Sequence, residues 1–212
     1  MLDSKLREII DAPLAVMAQP LAKCGITANK ITMGGAIAGV MAIICIASES
    51  YGWGLTFLIL NRLADGLDGA LARINGPTDY GGFLDIVVDF LFYNGMVFGF
   101  VMANPTTNGL PGAFLLLSFV GTGITFLAFA ILAAKRGVST QRRGNKSFYY
   151  VGGLMEGTET ALFMITMCLL PTYFPTFAWI CAAACWLTTV GRLIMAKQLF
   201  DDGRHTPDLN EN

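Results

Sequence analysis

Asp65, Asp68, Asp85 and Asp89 fall within 25 residues of a stretch, RLADGLDGALARINGPTDYGGFLDIVVDF, that otherwise reads as lipid-buried helix. One carboxylate at the centre of a membrane helix costs about 2.5–3.5 kcal/mol, and four would cost on the order of 10–14 kcal/mol if nothing compensated. Asp65 and Asp68 are spaced i,i+3, and Asp85 and Asp89 i,i+4, so each pair lies on one face of its helix. The link between the pairs is short, so the two helices run antiparallel as neighbours and all four carboxylates can converge on one volume. Oxygen-only ligation favours a hard cation, Mg²⁺ or Mn²⁺ and less so Ca²⁺, over zinc. A Mg²⁺ held by a few carboxylates usually leaves room for phosphate oxygens. Gly66, Gly69 and Ala72 flank the aspartates with small side chains that open space for a large ligand. Arg73 suits a phosphate; it equally suits an anchor at the membrane surface.

The elements that must position these groups are membrane helices. The chain has 212 residues, 54% hydrophobic and only 14% charged, with a formal net charge of −1. Soluble domains carry about 25% charged residues. No basic patch is interleaved with aromatics, so no nucleic-acid partner is expected. The expected architecture is all-α and integral to a membrane. Six transmembrane helices, over approximately 30–48, 53–73, 81–104, 112–134, 149–170 and 175–197, form one catalytic domain over 1–200. Residues 1–25 form an N-terminal interfacial amphipathic segment through Leu6, Ile9, Ile10, Leu14 and Met17. Residues 201–212 form a polar cytoplasmic tail.

Lys and Arg then orient the bundle. With the N-terminus inside, Lys5, Arg7, Lys23, Lys30, Arg73, Lys135, Arg136, Arg142, Arg143, Lys146, Lys197 and Arg204 all fall on the inner side, and the outer links contain none. Only Arg62 lies well inside a span, one turn before Asp65, which it is placed to neutralise. Gly34, Gly35, Gly39, Gly95 and Gly99 stand at helical spacing and suit close helix packing. The five cysteines form no C-x-x-C pair; Cys181 and Cys185, at i,i+4, read as buried packing residues. The single histidine, His205, sits in the tail, which argues against a histidine metal site or a Ser-His-Asp triad. Asp79 reads as a turn residue after Pro77.

The run Asp65-x-x-Asp68-Gly69-x-x-Ala72-Arg73, followed by Gly81-x-x-x-Asp85-x-x-x-Asp89, resembles the signature of the CDP-alcohol phosphotransferase (CDP-alcohol phosphatidyltransferase) family. Seven residues separate Arg73 from Gly81, where the usual pattern has eight. Upstream, ITANKIT at Ile26–Thr32 is similar to the family's P-N-x-x-T lead-in, with Ala28 in place of proline. The resemblance implies that Asp65, Asp68 and Asp85 hold two divalent ions, that Asp89 completes the site and acts as general base, and that Gly69, Ala72 and Arg73 face a CDP-linked donor. It implies transfer of a substituted phosphate, with donor CDP-diacylglycerol, to a small polar alcohol, releasing CMP in phospholipid biosynthesis. It further implies a homodimer among membrane lipids; the Lys/Arg distribution places the active site and both termini on the cytoplasmic side of what is expected to be a bacterial inner membrane. Glu156 and Glu159, with Arg142 and Arg143, are candidates for the acceptor pocket; the glutamates equally suit pairing with Lys146 or Arg143.

Competing readings are CDP-linked head-group transfer to a lipid alcohol, a carboxylate-lined divalent cation transporter, and an intramembrane prenyltransferase. Against the transporter, the aspartates cluster at one membrane face. Against the prenyltransferase, the chain is short and its acidic motifs are close together.

Overall fold

The computed structural model describes residues 2–136 and 153–201, and its described regular structure is helical throughout. Seven α-helices follow one another: α1 (Leu2–Lys23), α2 (Ala28–Ala47), α3 (Tyr51–Asn75), α4 (Asp79–Ala103), α5 (Pro105–Lys135), α6 (Gly157–Leu169) and α7 (Phe174–Phe200). α2, α4 and α5, together with the segment Pro171–Phe200 that includes α7, are long and apolar enough to cross a membrane. The six expected spans counted α3 and α6 as well. α3 has 25 residues, but from its middle onward it carries Arg62, Asp65, Asp68 and Arg73. α6 has 13 residues, a rise of about 20 Å against a hydrocarbon core of about 30 Å. Residues 149–152 of the fifth expected span, and the tail beyond 201, lie outside the described residues.

Helix ends differ from the expectation where local capping decides them. The link NPTTNGLP is mostly helical: Asn104 caps α5 by accepting a hydrogen bond from the Thr107 amide at 3.1 Å, and Pro105 follows at a position where its missing N–H costs nothing. Asp79 is not a turn residue but the first residue of α4, because Thr78 is the cap; its Oγ1 accepts from the Gly81 amide at 3.0 Å. The chain reverses between α3 and α4 at Gly76, whose φ of +91° favours glycine.

Contacts fix the helix directions. Asn61 Nδ2 donates to the Gly35 carbonyl at 2.8 Å, and a Cβ on Gly35 would come within 2.9 Å of the Ala64 Cβ, so α2 and α3 pack antiparallel at close range. A Cβ on Gly39 would meet Phe92 at 2.9 Å, and one on Gly99 would meet the Ile43 carbonyl at 3.0 Å; Gly95 faces Ile43. With Gly81 beside Asn29, these contacts run α2 and α4 parallel. Gly34, by contrast, faces open space. Removing Cβ atoms is what brings these backbones together, as in membrane helix pairs generally. α5 returns antiparallel to α4, with Gly123 against Phe90 and Gly112 against Val101, and α7 runs beside α5. Arg136 closes the C-terminal ends of α5 and α7 by donating to the Leu199 and Phe200 carbonyls at 3.1 and 2.8 Å.

The main core gathers Phe92, Met96, Phe100, Leu115, Met164, Phe174, Cys181 and Cys185; both cysteines are buried among apolar side chains. A second, smaller cluster sets Leu14 and Ala18 of α1 against Ala70 and Leu71 of α3, while Val16 and Met17 of α1 are exposed. Arg192 is buried on α7, donating to the Thr122 carbonyl at 2.9 Å and lying over the Phe126 ring.

Candidate active site

Because α3 descends as α4 ascends, Asp65 and Asp68 on one face the pair Asp85 and Asp89 on the other. One carboxylate oxygen from each of Asp65, Asp68 and Asp85 lies within 4.8 Å of the other two. Trans oxygens around a Mg²⁺ with bonds of about 2.1 Å stand roughly 4.2 Å apart, so this oxygen-only trio is close to the spacing a hard divalent cation takes. Asp68 is buried, and the Thr32 hydroxyl of α2 reaches its Oδ2 at 2.5 Å.

The fourth carboxylate stands differently. Asp89 lines the same hollow as the other three but lies outside the close trio, and its Oδ1 accepts a hydrogen bond from Arg62 Nη2 at 2.7 Å. The expected pairing of Arg62 with Asp65 is the weaker of its two, at 3.5 Å. The reason is reach: the guanidinium leaves α3 towards α4, where Asp89, Tyr93 and Phe92 stand on consecutive turns. Arg62 Nη1 donates to the Tyr93 hydroxyl at 3.0 Å, and Nε and Nη2 donate to Asn61 Oδ1 at 2.9 and 2.6 Å. Thr32, Gly35, Asn61 and Val88 complete the lining of the hollow.

The residues expected to face a donor sit on the last turns of α3. Arg73 is half-exposed and pairs with Asp11 of α1 at 3.1 Å. Gly69 lies beside it, since a Cβ there would stand 3.8 Å from Arg73 Nη1, and Ala72 is partly buried. Gly66 does not open a pocket: a Cβ on it would come within 2.8 Å of Leu14 Cδ1, so it receives α1. Gly81 meets Thr78 and Asn29 where α4 and α2 begin.

Glu156 is the cap residue of α6 and Glu159 lies in its first turn. This helix start is brought to the carboxylates by Tyr93, whose hydroxyl donates to the Gly157 carbonyl at 3.1 Å. Arg142 and Arg143 lie outside the described residues. Three residues of the site escaped the sequence reading: Thr32, Asn61 and Tyr93. Tyr93 carried a signal, being one helical turn beyond Asp89. Asn61 adjoins Arg62, and Thr32 ends the ITANKIT run, yet nothing local assigned either to a partner.

The family model for CDP-alcohol phosphatidyltransferase matches residues 25–191. The chain is 50% identical over 193 residues to the inner membrane protein YnjF of Escherichia coli, covering 91% of this chain and 94% of that one. It is 33% identical over 100 residues to archaetidylinositol phosphate synthase of Pyrococcus horikoshii, covering 47% of this chain and 53% of that one. Among solved structures, the fold is similar to the phosphatidylinositol phosphate synthase of Mycobacterium tuberculosis with CDP-DAG bound, with a TM-score of 0.67, 20% identity, and coverage of 91% and 98% of the two chains.

Proposed function

The chain belongs to the CDP-alcohol phosphatidyltransferase family, and from that premise we propose that this integral membrane protein transfers a substituted phosphate from CDP-diacylglycerol to the hydroxyl of a small polar alcohol, releasing CMP. The observation that carries the reading is the convergence of Asp65, Asp68 and Asp85 within 4.8 Å, in the helices that hold the family signature. The M. tuberculosis structure of similar fold, solved with CDP-DAG bound, supports this choice of donor.

In this reading Asp65, Asp68 and Asp85, with Asp89 completing the set, hold two divalent ions, Mg²⁺ or Mn²⁺. When bound, such ions would supply the positive charge that neutralises a pyrophosphate. The protein's own groups do the rest. Arg73 meets a donor phosphate, and Gly69 and Ala72 allow the nucleotide close. Asp89 accepts the acceptor's proton as the new P–O bond forms and the bond to CMP breaks. The Arg62 contact on Oδ1 leaves the other Asp89 oxygen for that proton. Glu156, Glu159, Arg142 and Arg143 line the acceptor side.

The same reading counts α3 and α6 as spans, six in all within one catalytic domain over 1–200. It lays α1 at the membrane surface and places the tail, both termini and the carboxylates on the cytoplasmic side. It takes the working form as a homodimer. The test is CMP release from CDP-diacylglycerol in detergent with Mg²⁺ or Mn²⁺, screened across acceptor alcohols. Release with one acceptor class supports the reading. Release only from a CDP-linked head group with diacylglycerol as acceptor would reassign the two substrates, and no release in either arrangement would overturn it.

A further inference from the structure

Arg62 makes more contacts than charge neutralisation requires. Its guanidinium bonds Asp89 Oδ1 at 2.7 Å, Asn61 Oδ1 at 2.6 and 2.9 Å, and the Tyr93 hydroxyl at 3.0 Å. It also lies against the Phe92 and Tyr93 rings, 4.8 and 4.9 Å from their centroids. Asn61 is itself fixed, buried and donating to the Gly35 carbonyl. An arginine held on several sides in this way cannot swing, because its planar fork loses every partner at once.

The direction of the hydrogen bonds carries the argument further. Arginine only donates, so the Tyr93 oxygen must accept from Nη1. The single phenolic proton is then committed to the Gly157 carbonyl at 3.1 Å. A continuous line therefore runs from Asp89 of α4, through Arg62 of α3 and Tyr93 of α4, to the first residue of α6. α6 is the shortest of the seven described helices, and this bond fixes its start against α4.

We propose that Arg62 is a positioning residue with two outputs: it fixes one oxygen of Asp89 and, through the Tyr93 hydroxyl, ties the start of α6 to the carboxylate cluster. The inference deepens the phosphotransfer reading, since it concerns the same carboxylates, but its test uses no turnover. Failure of one therefore leaves the other standing.

The test uses the full chain purified in detergent, with Mn²⁺ alone as the probe. Free Mn²⁺ is followed by its electron paramagnetic resonance signal, and amide hydrogen exchange is followed over residues 157–161. Arg62→Met removes a positive charge a few ångströms from the cluster, so Mn²⁺ affinity rises, by at least about tenfold even at the dielectric of water. Exchange over 157–161 also accelerates. Tyr93→Phe leaves the charge in place; it keeps Mn²⁺ affinity within about twofold of the parent but accelerates exchange as much as Arg62→Met does. Arg62→Lys, which keeps the charge without the fork, behaves like Tyr93→Phe and serves if the methionine variant does not fold. Unchanged or weakened Mn²⁺ affinity in Arg62→Met, or unchanged exchange over 157–161 in Tyr93→Phe, overturns the proposal.

Discussion

Thr32 and Asp68 lie 36 residues apart in sequence, yet the Thr32 hydroxyl stands 2.5 Å from the Asp68 carboxylate in a buried contact between α2 and α3. A hydrogen bond to a charged group contributes about 1.5–3 kcal/mol, and a buried acceptor left unpaired costs more than an exposed one. Thr32→Val is therefore expected to lower CMP release about tenfold or more and to weaken Mn²⁺ binding, while Thr32→Ser restores both. A valine variant with parental Mn²⁺ affinity would remove Thr32 from the metal-supporting set.

The close trio should act as a unit. Alanine at Asp65, Asp68 or Asp85 removes one of three converging oxygens and should weaken Mn²⁺ binding at least about tenfold, with turnover lost alongside. Parental affinity and activity in Asp65→Ala would show that the ion is held elsewhere.

Asp89 should behave differently from the trio. Asn has nearly the same shape and keeps an oxygen for Arg62, but it cannot take a proton. Asp89→Asn should still bind CDP-diacylglycerol while turnover falls roughly 10²–10⁴-fold, the usual range for removing a general base. Donor titration with single-turnover CMP release separates the two effects. Near-parental turnover at saturating donor would take Asp89 out of the base role.

Arg73 has two candidate duties, and Asp11 separates them. Their ion pair is half-exposed on both sides, a class of contact that contributes about 0–1 kcal/mol. Asp11→Asn should leave donor binding unchanged, whereas Arg73→Ala should raise the donor KM with little change in thermal stability. Equal effects of the two variants on donor KM would mean that Arg73 matters through its bond to α1.

What the sequence disclosed and what it hid divide along a physical line. The two aspartate pairs were legible because helical spacing puts them on one face, and the short Gly76–Pro77–Thr78 reversal makes their helices neighbours. Close packing was legible at Gly35, Gly39, Gly95 and Gly99, but not at Gly66, where the decisive neighbour, Leu14, comes from α1. Arg62 was assigned to Asp65 because that partner is local; its shorter bond goes to Asp89, on the next helix. Capping shifted helix ends at Asn104 and Thr78, where one polar side chain decides whether a polar link joins the helix.

Orientation can be checked with one exposed residue at each end of the bundle. Leu110, early in α5, is 74% exposed and lies at the end opposite the carboxylates, and Asn75 is exposed at the end of α3. In intact cells a membrane-impermeant thiol reagent should modify Leu110→Cys above the parent background and spare Asn75→Cys. The reverse pattern would turn the active site outward.

The start of α4 at Asp79 has a consequence for depth. Asp85 and Asp89 are six and ten residues further along that helix, about 9 and 15 Å at 1.5 Å per residue. The headgroup layer of one leaflet is only about 5–8 Å thick. In the proposed orientation, with Asp79 at the water boundary and α4 along the membrane normal, the carboxylates would stand beneath the headgroup plane, and a donor phosphate would have to sink below the level of its neighbours in the leaflet to reach them.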